Sequence, residues 1–156
     1  MGVQCFMVEK LVERVEMPCT CGNDGCTNRW QVPVWRRVSD GTLMVGYSSP
    51  FGPGSMWWEE PPVYEVDGQL KPYYWDNDSK HLLVLGPTGQ EWDIDSRASN
   101  CDQKDERTHR CWIRHGEPPN ITVDKNGKTC GAGGGSIWFD MPQGWHGFLR
   151  NGQFVQ

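Results

Sequence analysis

The sequence predicts a mainly β fold with one short N-terminal helix, a small α+β arrangement being the alternative. Three observations predict it. Nineteen glycines and 11 prolines break the 156-residue chain into short pieces. Nine tryptophans among 12% aromatic residues suit half-buried strands better than long helices. Apolar residues beyond the first turns fall in short alternating runs bounded by turn residues rather than at helical spacing. A chain of this length buries a core without disulfides, so residues 1–156 are expected to form one domain. Within it, residues 1–47 hold a helix, a cysteine knuckle and strands, 48–80 an aromatic and proline-rich connection, and 81–156 a region of β-hairpins.

Taken in order, Val8, Leu11, Val12 and Val15 stand at helical spacing with charged residues between them, which predicts a helix over 7–17 ending near Pro18. "CTCGNDGC" is a turn-rich knuckle. "RWQVPVWRRV" reads as a strand in which Pro33 marks an edge or an irregularity, and "SDG" turns it into "TLMVGY". From Ser48 to Pro62 the chain reads as a broken loop whose Phe51, Met56, Trp57 and Trp58 pack inward. "HLLVL", the turn "GPTG" and "EWDID" make a hairpin, and further strands are expected at 110–114, 121–123, 145–149 and 153–155. "CWIRHG" and "GFLRNG" each set a residue tolerant of positive φ before Gly, as a tight turn requires.

The formal charge of −5 argues against a general binder of duplex nucleic acid. Acidity is concentrated: residues 41–100 hold nine acidic and three basic side chains. No signal peptide or membrane span is read from the sequence. In a reducing compartment seven cysteines, an odd number, call for metal ligation or burial rather than pairing. "NDS" at 77–79 and "NIT" at 120–122 are chance matches to the glycosylation pattern, and Phe6 stands where myristoylation needs Ser or Thr.

Cys19, Cys21 and Cys26, with Gly22 and Gly25 between them, can turn three thiolates toward one point, and tetrahedral zinc favours such donors. Cys5, brought back across the short helix, is the expected fourth ligand, with a distant histidine as the alternative. The competing explanation is that these thiols are simply buried. A second zinc site could draw on Cys101, His109, Cys111, Cys130 and His146, His109 and Cys111 facing the same side of a strand. There the preferred reading is that Cys111 and Cys130 are small buried residues. "TCGAGGGSI" lacks the lysine and following helix of a phosphate-binding loop. Cys130 as a nucleophile activated by His109, His115 or His146 is the weaker reading. Asp93 and Asp95 share one side of a strand, where they could hold a cation or act as acid and base. Arg97, Arg114 or Arg150 could neutralise them.

The stretches "MGVQCFM", "WDIDSRASNC", "HRCWIRHGEPP", "ITVDKNGKTCGAGGGSI" and "GWHGFLRNG" resemble an uncharacterised family of bacteriophage and prophage proteins. The resemblance covers the first few residues and roughly the last half of the chain. Relatives often have a longer and differently arranged N-terminal half, so the Cys19–Cys26 knuckle is not carried over to them. A phage origin is what the resemblance implies, and it implies no reaction. The function expected is a noncatalytic accessory or host-interaction protein that binds a protein partner in the host cytoplasm during infection, with zinc in a structural role. Alternatives are a capsid or tail accessory of the virion, or a small enzyme using Cys130 or the paired aspartates.

Overall fold

A computed structural model of the chain describes residues 2–60, 63–72, 80–96, 101–102, 111–125, 134–140 and 144–156. Among these residues every regular element is a strand, and no helix is long and apolar enough to cross a membrane. The first six-stranded sheet runs in the order β4 (Leu43–Val45), β3 (Arg29–Arg37), β2 (Phe6–Pro18), β5 (Ser55–Glu59), β8 (His81–Leu85) and β9 (Glu91–Asp93). The second runs β1 (Val3–Gln4), β14 (Gln153–Val155), β13 (Trp145–Arg150), β11 (Thr122–Asp124) and β10 (Ile113–His115), with β12 (Ile137–Phe139) also paired to β13. β6 (Val63–Val66) and β7 (Gln69–Pro72) form a separate hairpin.

The helix expected over 7–17 is therefore a strand. Its partners are β3 along most of its length and β5 at its start: β2 pairs antiparallel with β3 from Val8↔Arg37 to Pro18↔Arg29, and parallel with β5 at Phe6↔Ser55 and Met7↔Met56. Val8, Val12 and Val15 are β-branched, which favours a pleated neighbour once one is available. The apolar spacing that suggested a buried helical face marks no such face, because Val8 is buried while Val12 is 96% exposed. Pro33 is the irregularity expected of it: the β2–β3 register shifts between Lys10 and Arg14, and Arg14 is the residue opposite Pro33. A residue without an N–H is tolerated where the ladder is already interrupted.

The stretch expected to be a loop from Ser48 to Pro62 contains β5, a strand inside the first sheet. Met56 and Trp57 are buried and Phe51 packs against the cluster that holds Trp57, as expected, whereas Trp58 is 43% exposed. Alternation puts Met56 and Trp57 on opposite sides of β5, each in a different cluster, and returns Trp58 to the Met56 side, where the Arg114 guanidinium lies over its ring. The "HLLVL" and "EWDID" arms pair as a hairpin from Leu83↔Asp93 to Leu85↔Glu91. "GFLRNG" turns between β13 and β14 through Asn151 and Gly152, with φ of +48° and +74°. Two left-handed residues match the twist of a two-residue hairpin, and Asn and Gly are the residues that adopt them at least cost.

The main core draws on both sheets. Met56, Leu82 and Val84 of the first pack with Val123, Leu149 and Phe154 of the second, and Cys5, Cys101 and Cys111 lie among them. A smaller cluster joins Val8, Trp35, Trp57 and Leu85, with the rings of Trp35 and Trp57 meeting edge to face at 5.1 Å. Burial falls away along β2, where most residues beyond Leu11 are exposed. The outer half of the β2–β3 hairpin thus carries its connecting loop away from the core.

Candidate metal centre

The loop 19–28 closes this hairpin, and the Cys19 N–H donates to the Asn28 carbonyl at 2.8 Å across its neck. Inside the loop the Cys26 N–H donates to the Asn23 carbonyl, and Gly22 and Gly25 take φ of +80° and +75°. Neither glycine has a heavy atom near the place of a Cβ, so conformation, not crowding, is what asks for glycine there. The two left-handed residues double the chain back on itself. As a result the sulfurs of Cys19, Cys21 and Cys26 lie within 4.8 Å of one another. Thiolates around tetrahedral zinc, with Zn–S near 2.3 Å, are about 3.8 Å apart, so small side-chain rotations would bring the three into ligand positions.

Local contacts already favour a charged sulfur. The Cys19 thiol is lowered from its ordinary value to about 7, first by a hydrogen bond from the Trp30 side chain and then by one from the Cys21 backbone, with smaller contributions from the Cys21 and Cys26 side chains. Indole and amide N–H groups are donors only, so they stabilise thiolate over thiol. Outer hydrogen bonds of this kind orient metal ligands.

Cys5, expected as the fourth ligand, is not brought to this group. Its N–H donates to the Gly152 carbonyl, which ties it to the second sheet, and its side chain is buried in the main core. Burial pushes its thiol up to about 12, the opposite of what a ligand needs. Among the described residues the cluster has no fourth Cys, His, Asp or Glu. Two of the three cysteines, Cys19 and Cys21, instead line a cavity of about 630 Å³ together with Met17, Pro18, Thr20, Trp30, Val32, Val45, Gly46 and Tyr47. β3–β4 pairing, with Val34 opposite Val45, brings that last segment to the loop.

Of the second set of candidate ligands, His109 and Cys130 lie outside the described residues. Cys101 and Cys111 are both buried in the main core, while His146 is exposed on β13 with its ring 5.4 Å from that of Trp138. The structure does not gather these three, and burial of Cys111 agrees with the simpler expectation for it.

The aspartate pair is absorbed into packing. Asp95 is buried, accepts from the Leu82 N–H at 2.9 Å and forms an ion pair with Nε of Arg114, one of the three arginines that could neutralise the pair, at 2.8 Å. Asp93 meets His81 Nδ1 at 2.6 Å and accepts from the Asp95 N–H. Desolvation raises the Asp93 carboxyl, against the lowering effect of His81. The Arg114 guanidinium also lies over the Trp58 ring at 5.1 Å. His115, one proposed activator of Cys130, is exposed and engaged with Asp124 Oδ1 at 2.8 Å.

Sequence reasoning missed three features here. His81 opens an apolar strand, and a polar residue in that position facing an acidic arm was the available signal. Trp30 was read only as a strand residue, although its indole donor stands four positions after Cys26. Tyr47 carried no signal at all, because only β3–β4 pairing brings it to the loop. Comparison with protein-family models, curated proteins and solved structures returns no match.

Proposed function

We propose that the chain binds one zinc ion through Cys19, Cys21 and Cys26, and that the metal holds the tip of the β2–β3 hairpin in one conformation. The observation that carries this reading is the convergence of three sulfurs within 4.8 Å in an exposed loop. Cys21 and Cys26 are exposed and Cys19 is half-buried, so these thiols gain little from packing at such a place, whereas a structural zinc adds folding free energy to a loop that has no core of its own. Native mass spectrometry with elemental analysis on reduced, folded protein tests it. About one zinc per chain is expected, and folded protein with no stoichiometric metal overturns it.

The setting proposed is bacteriophage infection, on the strength of the sequence resemblance, with the chain as a noncatalytic accessory or host-interaction protein that binds a protein partner in the host cytoplasm. The engagement of Asp93 with His81, and of Asp95 with Arg114, supports a structural rather than a chemical role for that pair. Affinity capture from infected cells should recover a specific partner. Recovery of the chain in purified particles instead would favour a capsid or tail accessory. The charge of −5 and the pairing of Arg36 with Glu9, and of Arg37 with Asp40, argue against a phosphate-binding face. Salt-sensitive, submicromolar affinity for arbitrary DNA duplexes would contradict that expectation.

A further inference from the structure

Three thiolates leave one tetrahedral position on a bound zinc, and two of the three cysteines, Cys19 and Cys21, also line the adjoining cavity. The lining residues Met17, Trp30, Val32, Val45 and Tyr47 supply apolar or aromatic surface, and none of the cavity's residues is Asp, Glu, Lys or Arg. Its volume of about 630 Å³ falls within the usual range for a small-ligand site. Trp30 links the two parts, since its side chain lines the cavity and also hydrogen-bonds the Cys19 thiol.

Charge selects the class of donor. Zn²⁺ with three thiolates carries one net negative charge, and a fourth thiolate or a carboxylate would raise it to two beside a wall whose described residues include no Lys or Arg. A neutral imidazole nitrogen completes the tetrahedron without adding charge, and it is a donor that zinc accepts readily. We infer that the metal and the adjoining cavity together form a binding site for a neutral imidazole attached to an apolar group, the nitrogen taking the fourth coordination position and the apolar group lying on Trp30, Val45 and Tyr47. This inference rests on the zinc reading above. In the binding step a zinc-bound water leaves as the Zn–N bond forms, with no proton lost from the neutral ring and no change of oxidation state. The same chemistry is offered by a free substituted imidazole and by a histidine next to an apolar residue in another polypeptide.

Cobalt(II) provides the test, because its visible bands report both the number of thiolates and the exchange of the fourth ligand. Full-length reduced protein is loaded with Co(II) and titrated with imidazole, with a phenyl-substituted imidazole, and with a His-Phe dipeptide blocked at both ends. Both ring compounds should shift the bands, and the phenyl compound should bind about tenfold more tightly than imidazole, as partial burial of one ring predicts. Tyr47→Ala should shrink that preference to about threefold or less, with Co(II) still bound at about one per chain. A dipeptide that matches or exceeds the phenyl compound assigns the donor to a polypeptide histidine, and a dipeptide that fails where the phenyl compound succeeds assigns it to a free ligand. Stoichiometric Co(II) with no band shift on adding any of the three, or no preference for the phenyl group, overturns the inference and leaves the metal reading standing. Failure of the reduced protein to take up Co(II) overturns both.

Discussion

The outer half of the β2–β3 hairpin and the core between the sheets use the same side chain in opposite ways. At the hairpin tip, Cys19, Cys21 and Cys26 converge in a loop with N–H donors aimed at sulfur, and Cys19 is lowered to about 7. In the core, Cys5 lies among Met56, Leu82 and Phe154, and burial pushes it up to about 12. The lesson is that surroundings, not residue type, decide whether a thiol is a ligand or a small apolar plug.

The comparison breaks most readily at its packed side. Leu149 is fully buried on β13, so Leu149→Ala should cost about 3–5 kcal/mol in denaturant unfolding, whereas Val12→Thr at an exposed position of β2 should stay within about 0.5 kcal/mol. Similar costs at the two sites would show that the hairpin arm is packed after all. Next comes the polar network. Asp95→Ala removes the partner of Arg114 and of the Leu82 N–H, and a loss of about 2–4 kcal/mol is expected by the same measurement. A neutral result would mean that water replaces the carboxylate easily.

A third prediction separates the two kinds of cysteine directly. Cys21→Ser should abolish stoichiometric zinc, and chelation of the native protein should lower the melting temperature by a few degrees. Cys111→Ser, which places a hydroxyl in the core, should lower stability while the metal content stays at about one. Metal lost from the Cys111 variant while its fold persists would tie the ion to the core instead.

The smallest effect is one of reactivity. In metal-free, reduced protein the alkylation rate of Cys19 should rise as pH passes about 7, while Cys5 stays protected until the fold opens. The sign for stability follows from the same shift. A folded value below the ordinary 9.0 means that the Cys19 contribution is present above about 9 and is lost as pH falls through about 7. Cys19 is only half-buried, in a loop at the surface, so the effect on a melting temperature should be slight. Mass-spectrometric mapping of labelled peptides across pH decides the matter, and equal labelling of Cys5 and Cys19 at neutral pH would remove the contrast.

Turn chemistry was legible in the linear order of residues. Asn151-Gly152, the "GPTG" turn and the glycines of the cysteine loop each need φ values or reversals that few other residues adopt, so they determined hairpins locally. The three clustered cysteines were legible for the same reason, since two left-handed glycines within eight residues suffice to bring sulfurs together. Pairing across the chain was not. Residues 7–17 carry a pattern compatible with helix, and only the arrival of β3 on one side and β5 on the other made them a strand. The exclusion of Cys5 from the three-cysteine cluster, the burial of Asp95 against Arg114 and the approach of Tyr47 to the cysteine loop likewise depended on which strands became neighbours. Strand pairing joins residues far apart in sequence, and the free energy that selects among pairings comes from the shared core, which exists only once the sheets have met.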